Sequence, residues 1–263
     1  MNVLNGTLDL RTGTLRPHRR EDSLSKLAPV IYDENATCPR WLKFLDRVMD
    51  GNKDLITYLQ RVAGYCLTDE VSEQCLWFLH GTGANGKSTL LQTLIDLMGD
   101  YGMQAVSEFL MVKTNESHPT ERADLHGKRF VATIETEQGK RIAEALMKQM
   151  TGGDRLRARR MRQDFFEFAP THKIFLAANH KPTVCGTDQA AWRRIKLIPF
   201  TVTIADDEKD KDLPSRSARP GRPTCFSAAR PTEGIGTPAG SRRLSCSRPS
   251  ERPRGRTTPL AKP

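Results

Sequence analysis

The stretch Gly81-Thr82-Gly83-Ala84-Asn85-Gly86-Lys87-Ser88-Thr89 constrains this chain more than any other. It fits the pattern GxxxxGK[ST], and its flanks are the ones that pattern needs. Cys75 to His80 (CLWFLH) is an unbroken apolar run suited to a strand covered on both faces, and LLQTLIDLMG follows as a helix stopped by Gly99. In such a strand–loop–helix unit the glycines let backbone N–H groups turn inward around phosphates at the positive end of a helix dipole. Lys87 would then reach β and γ phosphates, and the Ser88 hydroxyl would enter a Mg²⁺ shell. The whole loop, Gly81 through Thr89, is therefore the expected ATP site.

Further apolar runs extend the pattern. RFVATIE, KIFLAAN and RRIKLIPF read as strands, and the helix IAEALMKQM lies between the first two. Strands alternating with helices predict an α/β fold of the P-loop NTPase type, with a mainly parallel central sheet and helices on both faces. Before it, VLNGTLDLRTGTLRPH alternates around Asn5-Gly6 and Thr12-Gly13 and predicts a small β element. PRWLKFLDRVMDG places Trp41, Phe44, Leu45 and Val48 on one helical face, and LITYLQRVAGYCL predicts a second amphipathic helix. The expected organisation is a preface at 1–70, an ATPase domain at 71–213 and a tail at 214–263.

A phosphate loop alone implies nucleotide, not reaction. Hydrolysis also needs an acid at the end of a neighbouring strand, to hold Mg²⁺ and orient the attacking water. RFVATIE supplies Glu135 there, with Glu137 two residues on; at period two they share a strand face if the strand persists that far. Two exposed acids before a helix would look the same. Asn179, ending KIFLAAN, stands where an amide could position a water near the γ phosphate, although a plain strand-end cap also fits. Arg193 and Arg194 precede the last strand, where a guanidinium could reach a phosphate in an adjacent subunit; a solvated strand edge is the ordinary alternative. RLRARRMRQDFFEF reads as a hairpin carrying Arg155, Arg157, Arg159 and Arg160. Alternation lets only some of them share a face.

Charge and cysteine content narrow little. The formal net charge of +10 collects at one end: residues 214–263 hold 11 Lys plus Arg against 2 acids, whereas residues 1–213 hold 30 against 29. Global charge therefore says nothing about the folded part. Six cysteines show neither a CxxC pair nor a zinc-site spacing. No apolar run approaches the roughly 20 residues that span a bilayer, so a soluble, cytoplasmic protein is expected. Pro, Gly, Ser and Arg make up 31 of the last 50 residues, without apolar periodicity, and predict disorder. The abrupt change near Leu213 is what a G+C-rich gene read out of frame produces; an evolved basic arm is the rival, and translating the other two frames decides between them.

The run from FLHGTGANGKSTL through IETEQG, LMKQMTGGDRLRARR, FEFAPTHKIFLAANHKP and AWRRIKLIPF resembles the superfamily-3 helicase domain of phage and plasmid primase-helicases. NGTLDLRTGTLRPH and CPRWLKFLDRVMDG resemble the segment just upstream in that family, so the likeness covers about residues 1–213. It implies an AAA+-like ring, usually hexameric, that hydrolyses nucleoside triphosphate and moves along single-stranded DNA in a bacterial host. By that resemblance Gly81, Gly86, Lys87 and Ser88 form the phosphate loop, Glu135 the acidic strand end and Asn179 the sensor. Arg194, with Arg193 as substitute, would be the intersubunit finger. Lys148 and the turn from Gly152 through Arg159 would build a basic hairpin facing the channel. The chain begins after a primase part would have ended, and the tail lacks the helical subdomain expected after the last strand. Two other readings stay open: a P-loop ATPase acting on a non-DNA substrate, and a truncated remnant that binds nucleotide or DNA without turnover.

Overall fold

The computed structural model describes residues 1–112, 120–136, 141–180 and 189–210, together with the backbone of Pro223–Thr224. At the N-terminus β1 (Asn2–Val3), β2 (Gly6–Leu8) and β3 (Leu15–Arg16) form an antiparallel three-stranded sheet, turning at the Asn-Gly read as a hairpin signal. β4 (Ile31–Tyr32) pairs in parallel with β12 (Pro223–Thr224). Two helices follow. α1 (Pro39–Val48) starts on a proline, whose missing N–H costs nothing in a first turn. α2 (Lys53–Cys66) is capped by Asn52, whose side chain accepts the Leu55 N–H at 3.0 Å.

The central sheet has five strands in the order β11 (Ile195–Pro199), β5 (Leu76–His80), β10 (Lys173–Ala178), β7 (Phe130–Thr136), β6 (Gly102–Gln104). Every pairing in it is parallel. The α/β fold expected from the alternating runs is therefore what forms. Alternate residues of β5 serve two cores: Trp77 and Leu79 meet α1, α2 and α3 (Lys87–Met98), while Leu76 and Phe78 face Met147 and Met150 of α5 (Glu144–Thr151). Burial on both faces explains why the strand reads as continuous apolar sequence. Trp77, Phe175 and Phe130 form a row across three strands, with centroids 4.9 and 4.6 Å apart. The Trp77 indole donates to Tyr58 Oη at 3.0 Å and so ties α2 to the sheet.

The short helices α4 (Thr120–Ala123) and α6 (Gln189–Trp192) complete the described helices. β8 (Leu156–Arg159) and β9 (Phe165–Phe168) form the expected antiparallel hairpin. Leu156, Ala158 and Phe168 are buried on one face. Among the described residues no helix is long and apolar enough to cross a membrane. The expected disordered tail, Pro223–Thr224 apart, lies outside the described residues.

Candidate nucleotide and DNA site

The phosphate loop joins the C-terminal end of β5 to the first turn of α3. Gly86 sits at φ +84, and a side chain there would strike Val48 Cγ1 at 2.7 Å and Phe44 Cε2 at 3.0 Å. Helix α1 is thus the floor beneath the loop. Gly81 is excluded from carrying a side chain on the other flank, since a Cβ would stand 2.0 Å from the Phe200 carbonyl oxygen. That carbonyl accepts from Asn85 Nδ2 at 3.1 Å, and the Ile204 N–H donates to the Ala84 carbonyl at 2.8 Å. The segment leaving β11 therefore clips the loop in place.

Lys87 is buried, 6% exposed, although it carries a charge. Its ammonium donates to the Gly81 carbonyl at 2.8 Å, to Asn85 Oδ1 at 2.9 Å and to Asn179 Oδ1 at 3.4 Å. All three acceptors are uncharged, and burial holds the ammonium below the usual lysine range. Such a cation lacks a counter-ion among the described residues and is primed for an anion. Gly83 to Thr89, together with Ala177, Ala178 and Asn179, line a cavity of about 270 Å³. Thr82, Ala84 and Ser88 are exposed at its rim. The cradle, the buried ammonium and the N-terminal end of α3 fit a nucleotide's phosphates, and the exposed Ser88 hydroxyl fits a Mg²⁺ beside them.

Of the proposed acids, Glu135 lies in the last two residues of β7, so its backbone stands one strand beyond β10 at the same end of the sheet. Glu137 lies outside the described residues. Among the described residues no three His, Cys, Asp or Glu side chains group as a metal cluster. Asn179 follows β10 directly, beside Lys87, as its strand-end position suggested.

Arg193 and Arg194 stand at the opposite end of the sheet. The Arg194 carbonyl accepts from the Leu76 N–H at 2.9 Å, at the start of β5, so the length of that strand, roughly 17 Å at 3.3 Å per residue, separates it from its own phosphate loop. The Arg194 guanidinium donates to the Gln74 carbonyl at 3.2 Å and to Thr151 Oγ1 at 3.2 Å, whereas Arg193 is exposed. The two arginines thus have different surroundings, which sequence did not separate.

In the hairpin, Arg155, Arg157 and Arg159 alternate with buried Leu156 and Ala158, so all three lie on the outer face. Arg155 Nε is 3.8 Å from Glu167 Oε2. Lys148 is half-buried on α5, the helix just before the hairpin. Sequence reasoning missed Phe44, Val48, Phe200 and Ile204 as supports of the loop. Phe44 and Val48 had a signal, their shared helical face; Phe200 and Ile204 had none.

Known proteins share parts of this sequence and its fold. Residues 1–50 match the family described as D5 N terminal like, and residues 79–194 match a family of unknown function, DUF5906. A protein named "Putative helicase" from Acanthamoeba polyphaga mimivirus is 32% identical over 202 residues, covering 74% of this chain and 21% of that protein. One named "Putative primase" from African swine fever virus is 22% identical over 208 residues, again 74% of this chain and 21% of its own length. The chain thus spans about a fifth of the curated relatives it matches. The apo structure of the NrS-1 C terminal region superposes with a TM-score of 0.58 at 10% identity, covering 72% of this chain and 44% of that one. The matches fit the C-terminal part of a primase-helicase, which is the class that the motifs resemble.

Proposed function

We propose that this chain is the ATP-hydrolysing module of a ring helicase that translocates on single-stranded DNA. The observation that carries the reading is the buried Lys87 ammonium, which points three donors at uncharged oxygens inside a cavity built from the phosphate loop. Gly81 to Thr89 hold the phosphates, and Lys87 leaves its neutral partners for the β and γ oxygens. Ser88, with Glu135, would hold Mg²⁺, which would supply positive charge against the phosphate oxygens. Glu135, or Glu137 beyond it, takes a proton from the attacking water, and Asn179 orients that water. An arginine at 193 or 194 serves a neighbouring subunit, because its own loop lies at the far end of the sheet. The ring, expected to be hexameric, places the hairpin with Arg155, Arg157 and Arg159 against DNA phosphates, supported by Lys148 at its base.

The test is ATP hydrolysis with and without single-stranded DNA, in the protein and in Lys87→Ala. Stimulation by DNA, together with loss of turnover in Lys87→Ala, is expected. Hydrolysis indifferent to DNA would leave a P-loop ATPase acting on another substrate, and normal turnover in Lys87→Ala would remove the site assignment itself.

A further inference from the structure

Three phenylalanines fall within β9, and they do not do the same thing. Phe166 and Phe168 turn inward against His126, with centroids 5.6 and 5.2 Å from its ring. Phe165 turns outward and is 47% exposed. Nothing in the core calls for an aromatic ring there, since the hairpin's buried face is already closed by Leu156, Ala158 and Phe168. Exposed rings carry an apolar penalty that a small polar side chain at this position would avoid.

What surrounds that ring is cationic. The Arg157 guanidinium stands 4.6 Å from the Phe165 centroid, and that of Arg159 stands 4.9 Å away. Arg159 is the cross-strand partner of Phe165, and Arg157 is opposite Glu167. The Glu167 carboxylate, on the residue opposite Arg157, is 3.8 Å from Arg155 Nε. Two like charges therefore gather about one aromatic ring of a surface hairpin, an arrangement that repels itself in the absence of an anion. Met161, 71% exposed, is a second apolar side chain left open to solvent, in the turn that follows Arg159.

A duplex presents phosphates but hides its bases in the stack, so it would satisfy the arginines and leave the ring idle. A single strand presents both: a π-face to stack on and a phosphate on either side of it. We propose that Phe165 is a base-stacking platform for single-stranded DNA, with Arg157 and Arg159 taking the phosphates that flank the stacked base. An exposed cation–π contact is weaker than a base–aromatic stack, so an arriving base displaces a guanidinium from the ring, and the displaced arginine is left within reach of the backbone. Because every base has such a face, the platform grips without reading sequence, as a translocating module requires.

This inference rests on the hairpin being the DNA-facing element, and the experiment separates the two. Fluorescence anisotropy of the full chain would be measured with labelled oligothymidylate and with an abasic strand of the same length, for the protein, Phe165→Leu, Phe165→Trp and the double variant Arg157→Ala/Arg159→Ala. The protein should bind oligothymidylate about tenfold more tightly than the abasic strand. Phe165→Leu should lower oligothymidylate affinity to the abasic level, with abasic affinity and salt slope unchanged, while Phe165→Trp keeps the preference. The double arginine variant should weaken both strands and flatten the salt dependence. Equal affinity of the protein for both strands, or a preference that survives Phe165→Leu, overturns the platform and leaves the DNA reading standing. Failure to bind either strand overturns both. Loss of the preference in Phe165→Trp as well as Phe165→Leu also overturns the platform, since the larger ring should stack at least as well.

Discussion

One guanidinium nitrogen of Arg194 reaches both oxygens of Thr151, the hydroxyl at 3.2 Å and the carbonyl at 3.5 Å, and so ties the start of β11 to the last residue of the helix before the hairpin. Arg193, one residue earlier, is exposed. Arg194→Ala should therefore cost about 1–3 kcal/mol of stability, because it strips a charged hydrogen bond from buried Thr151 and another from the Gln74 carbonyl. Arg193→Ala should stay within about 0.5 kcal/mol of the parent in a thermal or urea melt.

The same pair makes a kinetic prediction. If Arg193 serves the neighbouring subunit, Arg193→Ala loses about 10³-fold or more in turnover, and mixing it with Lys87→Ala subunits restores part of it. Restoration with Arg194→Ala, and none with Arg193→Ala, in verified mixed rings, would give the role to Arg194.

Glycine substitutions in the phosphate loop should separate two kinds of cost. Gly83, at φ +100, has nothing within 4 Å of an added Cβ, so Gly83→Ala should cost about 1–3 kcal/mol from backbone strain alone. Gly81→Ala forces a Cβ to within 2.0 Å of the Phe200 carbonyl oxygen and 2.5 Å of Asn85 Nδ2. It should melt earlier than Gly83→Ala and lose nucleotide binding, as read by thermal shift with and without ATP.

Acid stability should depend on His172, which precedes β10 and is 4% exposed. Burial pushes its pKa down to about 4 from an ordinary 6.5. Below 6.5 the unfolded chain takes up a proton that the folded chain refuses, so stability is lost as pH falls toward 4. Between pH 6.5 and 5 that loss is about 1.6 kcal/mol. Denaturant titrations of His172→Leu over this range should lack that slope; an equal slope in both proteins would assign it to other groups.

For the two acids, Glu135→Gln should keep ATP bound and block hydrolysis, because the amide keeps the shape without a base or a metal-binding charge. Normal hydrolysis in Glu135→Gln, and none in Glu137→Gln, would move the catalytic role to Glu137.

Much of this architecture can be read from the order of residues, and the reason is local. β5, β7, β10 and β11 send apolar side chains into both cores, so each reads as a mainly apolar run, and the hairpin announces itself by alternating arginines with Leu156 and Ala158. β6 escapes notice because it is only three residues long, Gly102–Gln104, too short to show a run of its own. Strand order and the supports of the phosphate loop are likewise invisible, since the Asn85 to Phe200 bond joins residues 115 apart. The Arg193 and Arg194 pair looks symmetrical in sequence; only the packing of Thr151 and Gln74 distinguishes the two.

The bonds from Asn85 to Phe200 and from Ile204 to Ala84 are followed along the chain by an ion pair of Glu208 with Arg47, at 2.7 Å, on the helix that floors the loop. The phosphate loop is thus gripped from both sides by one stretch of polypeptide. Residues 200–208 thus lie as a strap over the loop and its floor, so the loop's position is set by the segment that leaves the sheet as much as by the strand and helix it joins.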